Sequence, residues 1–87
     1  MNNDENQIRI YGTKWCPDCL RAKQVFQKKK TPFVWIDIET TPEAGALVEK
    51  INKGFKSVPT IVFADGSVLV EPGNAELEKK LADAGYA

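Results

Sequence analysis

The sequence predicts an α/β domain: a four-stranded mixed sheet with helices on both faces, in the order strand, helix, strand, helix, strand, strand, helix. Three observations predict it. Short β-branched and aromatic runs alternate with longer runs whose apolar residues recur at helical spacing. Prolines fall at the ends of these runs, where helices start or stop. An Asp65-Gly66 pair separates the last two strand-like runs, which marks a hairpin rather than a crossover.

The first strand is Ile8-Arg9-Ile10-Tyr11, stopped by Gly12. Helix 1 is expected to begin near Cys16 with Pro17 at its first helical position, where a missing N–H costs nothing. Cys19, Ala22, Val25 and Phe26 share one face, and Lys28, Lys29 and Lys30 suit the negative end of the helix dipole. Thr31-Pro32 ends the helix. The second strand, Phe33 to Ile38, is apolar at nearly every position and reads as buried on both faces. Thr41-Pro42-Glu43 starts helix 2, Leu47, Val48 and Ile51 form its apolar stripe, and Gly54 is its expected stop. Pro59 to Phe63 and Val68 to Val70 are the hairpin strands. Asn74 is the expected cap of a last helix that carries Leu77, Leu81 and Ala84 on one side and ends at Gly85. The first β-α-β unit requires parallel strands, and the hairpin adds two antiparallel ones.

Composition narrows the function classes. The chain has 87 residues, expected to form a tail over 1–7 and one domain over 8–87. Twelve basic residues balance 12 acidic ones, so nothing in the charge points to nucleic acid or an anionic membrane. The polar start of the chain does not read as a signal peptide, and no apolar run approaches the ~20 residues that span a bilayer. The only two cysteines are Cys16 and Cys19, too few for a disulfide scaffold and too few, with no histidine, for a four-ligand zinc site. A disulfide between them closes so short a loop that it adds little stability. The spacing suits a redox pair in a reducing compartment, expected to be the cytoplasm.

The chemistry follows from position. Cys16 at a helix N-terminus has free N–H donors and partial positive charge near its sulfur, and Lys14 adds a cation; these favour the reactive thiolate. Asp18, between the cysteines, works against it. Cys16 is therefore the expected nucleophile. Cys19, on the buried face, is the expected resolving thiol, with a higher pKa.

Two separated segments carry a resemblance. Tyr11-Gly12-Thr13-Lys14-Trp15-Cys16-Pro17-Asp18-Cys19 followed by Lys56-Ser57-Val58-Pro59-Thr60 resembles a glutaredoxin of the thioredoxin superfamily over about residues 8 to 84. With Ala64-Asp65-Gly66-Ser67 leading to Glu71-Pro72, the pattern is most like that of mycoredoxins. The resemblance implies a cis peptide bond before Pro59, which brings that loop beside the cysteines, and a backbone at Val58 that can pair with an extended substrate. It implies Cys16 and Cys19 as the redox disulfide. Trp15 then becomes a wall beside Cys16, Lys14 a holder of a substrate carboxylate, and Thr13 and Asn74 hydrogen-bonding groups for a thiol.

The chain departs from common glutaredoxins at Asp18, where they carry an aromatic residue, and at Glu71-Pro72-Gly73-Asn74, where they carry a Gly-Gly pair. These departures favour mycothiol, bacillithiol or a protein donor over glutathione as reductant. The expected protein is a monomer with no bound cofactor or metal that reduces protein–small-thiol mixed disulfides and protein disulfides. Two alternatives stay open. One is a redoxin reduced by thioredoxin reductase that donates to ribonucleotide reductase or peroxiredoxins. The other is a metal- or cluster-bridged dimer acting as carrier or sensor.

Overall fold

A computed structural model describes residues 7–83. The elements are β1 (Arg9–Gly12), α1 (Pro17–Lys28), β2 (Val34–Asp37), α2 (Pro42–Ile51), β3 (Thr60–Val62), β4 (Val68–Val70) and α3 (Asn74–Asp83). Most of the expected tail, and the expected roles of Ala84 and Gly85, lie outside the described residues. The four strands form one sheet in the order β2-β1-β3-β4. β1 runs parallel to β2 and antiparallel to β3, and β3 and β4 form the hairpin.

Alternation along the strands builds two apolar layers. Ile8, Ile10, Ile61 and Phe63 face α1 and α3, packing with Ala22, Val25, Phe26, Leu77 and Leu81. Tyr11 and Val62 point the other way and pack with Ala44 and Val48 of α2. Helices therefore cover both faces of the sheet.

Several expectations shift. β2 is an edge strand and each of its residues is half-buried, not buried on both faces: Trp35 packs on one layer and Ile36 on the other, but one long side of the strand has no neighbouring strand among the described residues. Leu47 is exposed; the buried residues of α2 are Ala44, Gly45 and Val48. Gly73, not Asn74, occupies the cap position of α3, because the Leu77 N–H donates to the Gly73 carbonyl. The hairpin turn is centred on Ala64 and Asp65, with the Gly66 N–H donating to the Phe63 carbonyl and Gly66 at φ +91°. Asp65 accepts from the Ser67 N–H and hydroxyl, which hold its carboxyl below the usual carboxylate range.

Both α1 and α2 end in a Schellman turn. Thr31 N–H donates to the Phe26 carbonyl and Lys30 N–H to that of Gln27; Gly54 and Lys53 do the same to Glu49 and Lys50. The residue in the left-handed conformation is a lysine in each case, Lys30 at φ 55° and Lys53 at φ 56°. Gly54 is therefore one position beyond the residue that turns the chain.

Candidate functional site

The parallel pair decides where the site sits. β1 and β2 end side by side, with Gly12 paired to Asp37. β3 runs the other way, so its start at Thr60, opposite Tyr11, lies at the same edge. The loops 13–16, 38–41 and 56–59 therefore converge at the carboxyl ends of the parallel strands, where α/β sheets bind ligands.

Cys16 is the N-cap of α1, in extended geometry, and its Sγ accepts the Cys19 N–H at 3.4 Å. The Cys16 N–H donates to the Thr13 carbonyl, which closes the loop tightly before the helix. Pro17 takes the first helical position, as expected. Both cysteines are free thiols. Cys16 retains 7% exposure and Cys19 none, so only the first sulfur offers itself to an incoming disulfide. The Cys19 thiol is pushed up to about 12, first by burial; contact with the Cys16 sulfur and the charge of Asp18 add to the rise, and a hydrogen bond from the Thr13 backbone opposes it.

Gly12 makes this seat possible. A Cβ there would lie 2.5 Å from the Cys19 sulfur and 2.8 Å from the Trp35 ring. Gly12, expected as a strand stop, is the last residue of β1, and its missing side chain is the space that Cys19 fills.

Asp18 forms an ion pair with Arg21 one helical turn on, both exposed. The arginine offsets the carboxylate beside the motif, a partner that sequence reading did not assign. The Val58-Pro59 bond is cis, as the resemblance implies. A hydrogen-bond chain holds that loop: Asn52 Nδ2 donates to Thr60 Oγ1, and Thr60 Oγ1 donates to the Ser57 carbonyl at 2.7 Å. Thr60 stands in the segment that carries the resemblance, but its hydrogen-bonding role and Asn52 are not legible in the sequence, because the contact between them is made across the fold.

Two grooves flank the motif. A cleft of about 470 Å³ is lined by Thr13, Trp15, Ile38, Glu39, Pro42, Lys56 and Val58. A second groove of about 370 Å³ is lined by Asp18, Arg21 and the segment Glu71 to Asn74. The structure thus brings Thr13, Trp15 and Val58 together and places Asn74 with Asp18 in the other groove. Lys14 is exposed and lines neither groove. Glu39 is an addition: its Oε2 accepts the Trp15 indole N–H at 2.9 Å. Among the described residues, no group of three or more His, Cys, Asp or Glu is arranged to hold a metal ion, and no helix is long and apolar enough to cross a membrane.

A free dithiol at a helix start beside a cis-proline loop is a shared architecture, and comparison with known proteins identifies it. The glutaredoxin family model matches residues 8–69. A Mycobacterium tuberculosis protein named as a glutaredoxin is 39% identical over 74 residues, which cover 85% of this chain and 88% of that one. Mycoredoxin 1 of Corynebacterium glutamicum is 32% identical over 76 residues, covering 87% and 94% of the two chains. The crystal structure of a glutaredoxin from Archaeoglobus fulgidus superposes with a TM-score of 0.68 at 24% identity, over 85% of this chain and 84% of that one, a likeness of thioredoxin-like fold. With the family model spanning the motif and the hairpin, and relatives above 30% identity along nearly their whole length, the chain belongs to the glutaredoxin family.

Proposed function

We propose that the chain is a thiol–disulfide oxidoreductase that reduces mixed disulfides between proteins and a low-molecular-weight thiol, and protein disulfides, through the dithiol of Cys16 and Cys19. The observation that carries this reading is the Cys16 sulfur: it caps α1, accepts the Cys19 N–H, and is the more exposed of two free thiols.

The steps balance on these two residues. The Cys16 thiolate attacks one sulfur of the substrate disulfide; the new S–S bond forms as the old one breaks, and the departing thiolate takes a proton from solvent. Cys19 then loses its proton and attacks the Cys16 sulfur, releasing the second half of the substrate as a thiol. The substrate gains two electrons and the protein is left as the Cys16–Cys19 disulfide. Two molecules of a small thiol, or a reductase, return it to the dithiol. When the small thiol itself is bound to Cys16, another molecule of that thiol can complete the reaction without Cys19. Val58 and Trp15 line the cleft that we assign to the substrate half.

The reductant we propose is mycothiol, a sugar thiol that carries hydroxyls and no carboxylate, rather than glutathione, acting in the cytoplasm. In the second groove the one guanidinium, Arg21, is already paired with Asp18, so a carboxylate of glutathione entering it faces Glu71 without a free cation among the described lining residues. The likeness to mycoredoxin 1 points the same way. The test is to prepare the oxidised protein and offer glutathione, mycothiol, bacillithiol and an NADPH-driven thioredoxin reductase separately. Faster turnover with mycothiol than with glutathione or bacillithiol, both of which carry carboxylates, is expected. Turnover by thioredoxin reductase alone would replace this reading with that of a redoxin feeding ribonucleotide reductase or peroxiredoxins.

A further inference from the structure

The cleft lined by Trp15, the residue before Cys16, contains an arrangement that the exchange mechanism does not use. Trp15 is 66% exposed, an unusual state for so large an aromatic side chain, yet its indole N–H has a fixed partner. Its indole N–H donates to Glu39 Oε2, a charge-assisted bond across 24 residues of sequence. Glu39 is itself held from behind. Its N–H donates to the Asp37 carboxylate at 2.8 Å, and the preceding Ile38 N–H donates to the Gly12 carbonyl at 3.0 Å. The bond therefore ties the loop after β1 to the loop after β2, over the cleft they both line.

The charges of the cleft are unequally compensated. Glu39 is the one carboxylate and Lys56 the one cation among the described residues that line it. Lys56 Nζ lies 3.8 Å from Glu49 Oε2, an exposed pair that directs part of its charge away from the cleft. Glu39 is bonded to a neutral indole and has no cationic partner among the described residues. Its charge therefore acts on whatever enters. Thr13 adds a second sign that the cleft is built for a ligand: it lines the cleft, is only 3% exposed, and its Oγ1 has no hydrogen-bond partner.

We propose that Glu39 is a specificity-determining residue that acts partly through Trp15. It fixes the indole as a wall of the cleft, and its charge selects disulfides whose small-thiol half carries hydroxyl or amino groups over those that carry a carboxylate. This inference rests on the proposed exchange activity at Cys16, and its test separates the two.

The reduced protein is mixed with three disulfides of similar size: bis(2-hydroxyethyl) disulfide, cystamine and 3,3′-dithiodipropionate, which are neutral, cationic and anionic. Rates are measured for wild type, Glu39→Gln, Glu39→Ala, Trp15→Phe and the variant that combines Glu39→Ala with Trp15→Phe. Wild type is expected to react more slowly with the anionic disulfide than with the other two. Glu39→Gln should raise the anionic-to-neutral rate ratio by about fivefold, the effect expected of one charge a few ångströms away in a partly solvated site. Trp15→Phe keeps an aromatic ring but removes the N–H donor, so it should raise KM for the neutral disulfide with little change in kcat. Glu39→Gln keeps an amide oxygen that can accept the indole N–H, so it reads the charge alone; Glu39→Ala and Trp15→Phe both break the bond, and combining those two should raise KM no more than either alone. Both side chains are exposed, so the fold is not at stake. An unchanged anionic-to-neutral rate ratio in Glu39→Gln, or additive KM effects of Glu39→Ala and Trp15→Phe, overturns the inference while wild-type exchange leaves the proposed activity standing. Absence of exchange with all three disulfides in wild type overturns the activity and the inference with it.

Discussion

Cys16 and Cys19 lie on one helical turn but in different media. Cys16 keeps a little exposure at the helix start; Cys19 is sealed between Gly12, Trp35 and the rest of α1. Sequence spacing alone showed which cysteine faces the core. It did not show the depth of the seat, because that depends on the bare Cα of Gly12 on a neighbouring strand. The seat has a consequence for stability. The Cys19 thiol is raised from 9.0 to about 12 in the fold, mainly by burial, so the folded chain keeps a proton that the unfolded chain gives up. The stability that this contributes is full below pH ~9 and is lost as pH rises toward ~12, at a slope of at most ~1.4 kcal/mol per pH unit. Urea unfolding of the reduced protein between pH 8 and 11 is expected to show this loss, and Cys19→Ser should lack it. Parallel pH profiles for the two would show that Cys19 is not held as a buried thiol.

At the scale of the elements, helix starts were easier to read than helix ends. Pro17 and Thr41-Pro42 are local signals, and α1 and α2 begin where they stand. The ends turn on lysines, and the sequence signal for such a turn is glycine, so Lys30 and Lys53 gave no warning. The asymmetry is testable. A non-glycine residue in the left-handed region costs ~1–2 kcal/mol, partly offset by the entropy glycine loses on folding. Lys30→Gly and Lys53→Gly are each expected to raise stability by about 0.5–1 kcal/mol, read as an increase of several degrees in Tm for a domain of this size. A lowered Tm in both would mean that the lysine side chains contribute contacts outweighing the strain. The same logic explains β2. Its apolar run suits a strand covered on both faces, but only the strand order, a property of the whole sheet, shows that one side is an edge.

For the molecule as a whole, the fold class was legible because each element carried its own periodicity and the Asp65-Gly66 pair marked the hairpin. The proposed redox pair was legible because both cysteines sit in one segment. The remainder of the site was legible only where a resemblance supplied it, as for the cis bond before Pro59. Glu39, Asn52 and Gly12 were not, since each matters through a contact made when distant segments meet at one edge of the sheet. That edge also explains the division of the predicted binding residues. Thr13, Trp15 and Val58 come from loops on the parallel side and share a cleft, while Asn74 precedes the body of α3 and meets Asp18 in a separate groove.

The central claim, that Cys16 attacks and Cys19 resolves, is tested most directly by trapping the intermediate. Reduced Cys19→Ser and Cys16→Ser variants are each exposed to a protein disulfide substrate under non-reducing conditions and analysed by intact-mass spectrometry. Cys19→Ser is expected to accumulate a covalent adduct that maps to Cys16, and Cys16→Ser to accumulate none. An adduct on Cys19 in the Cys16→Ser variant, with none on Cys16 in its counterpart, would contradict the assignment.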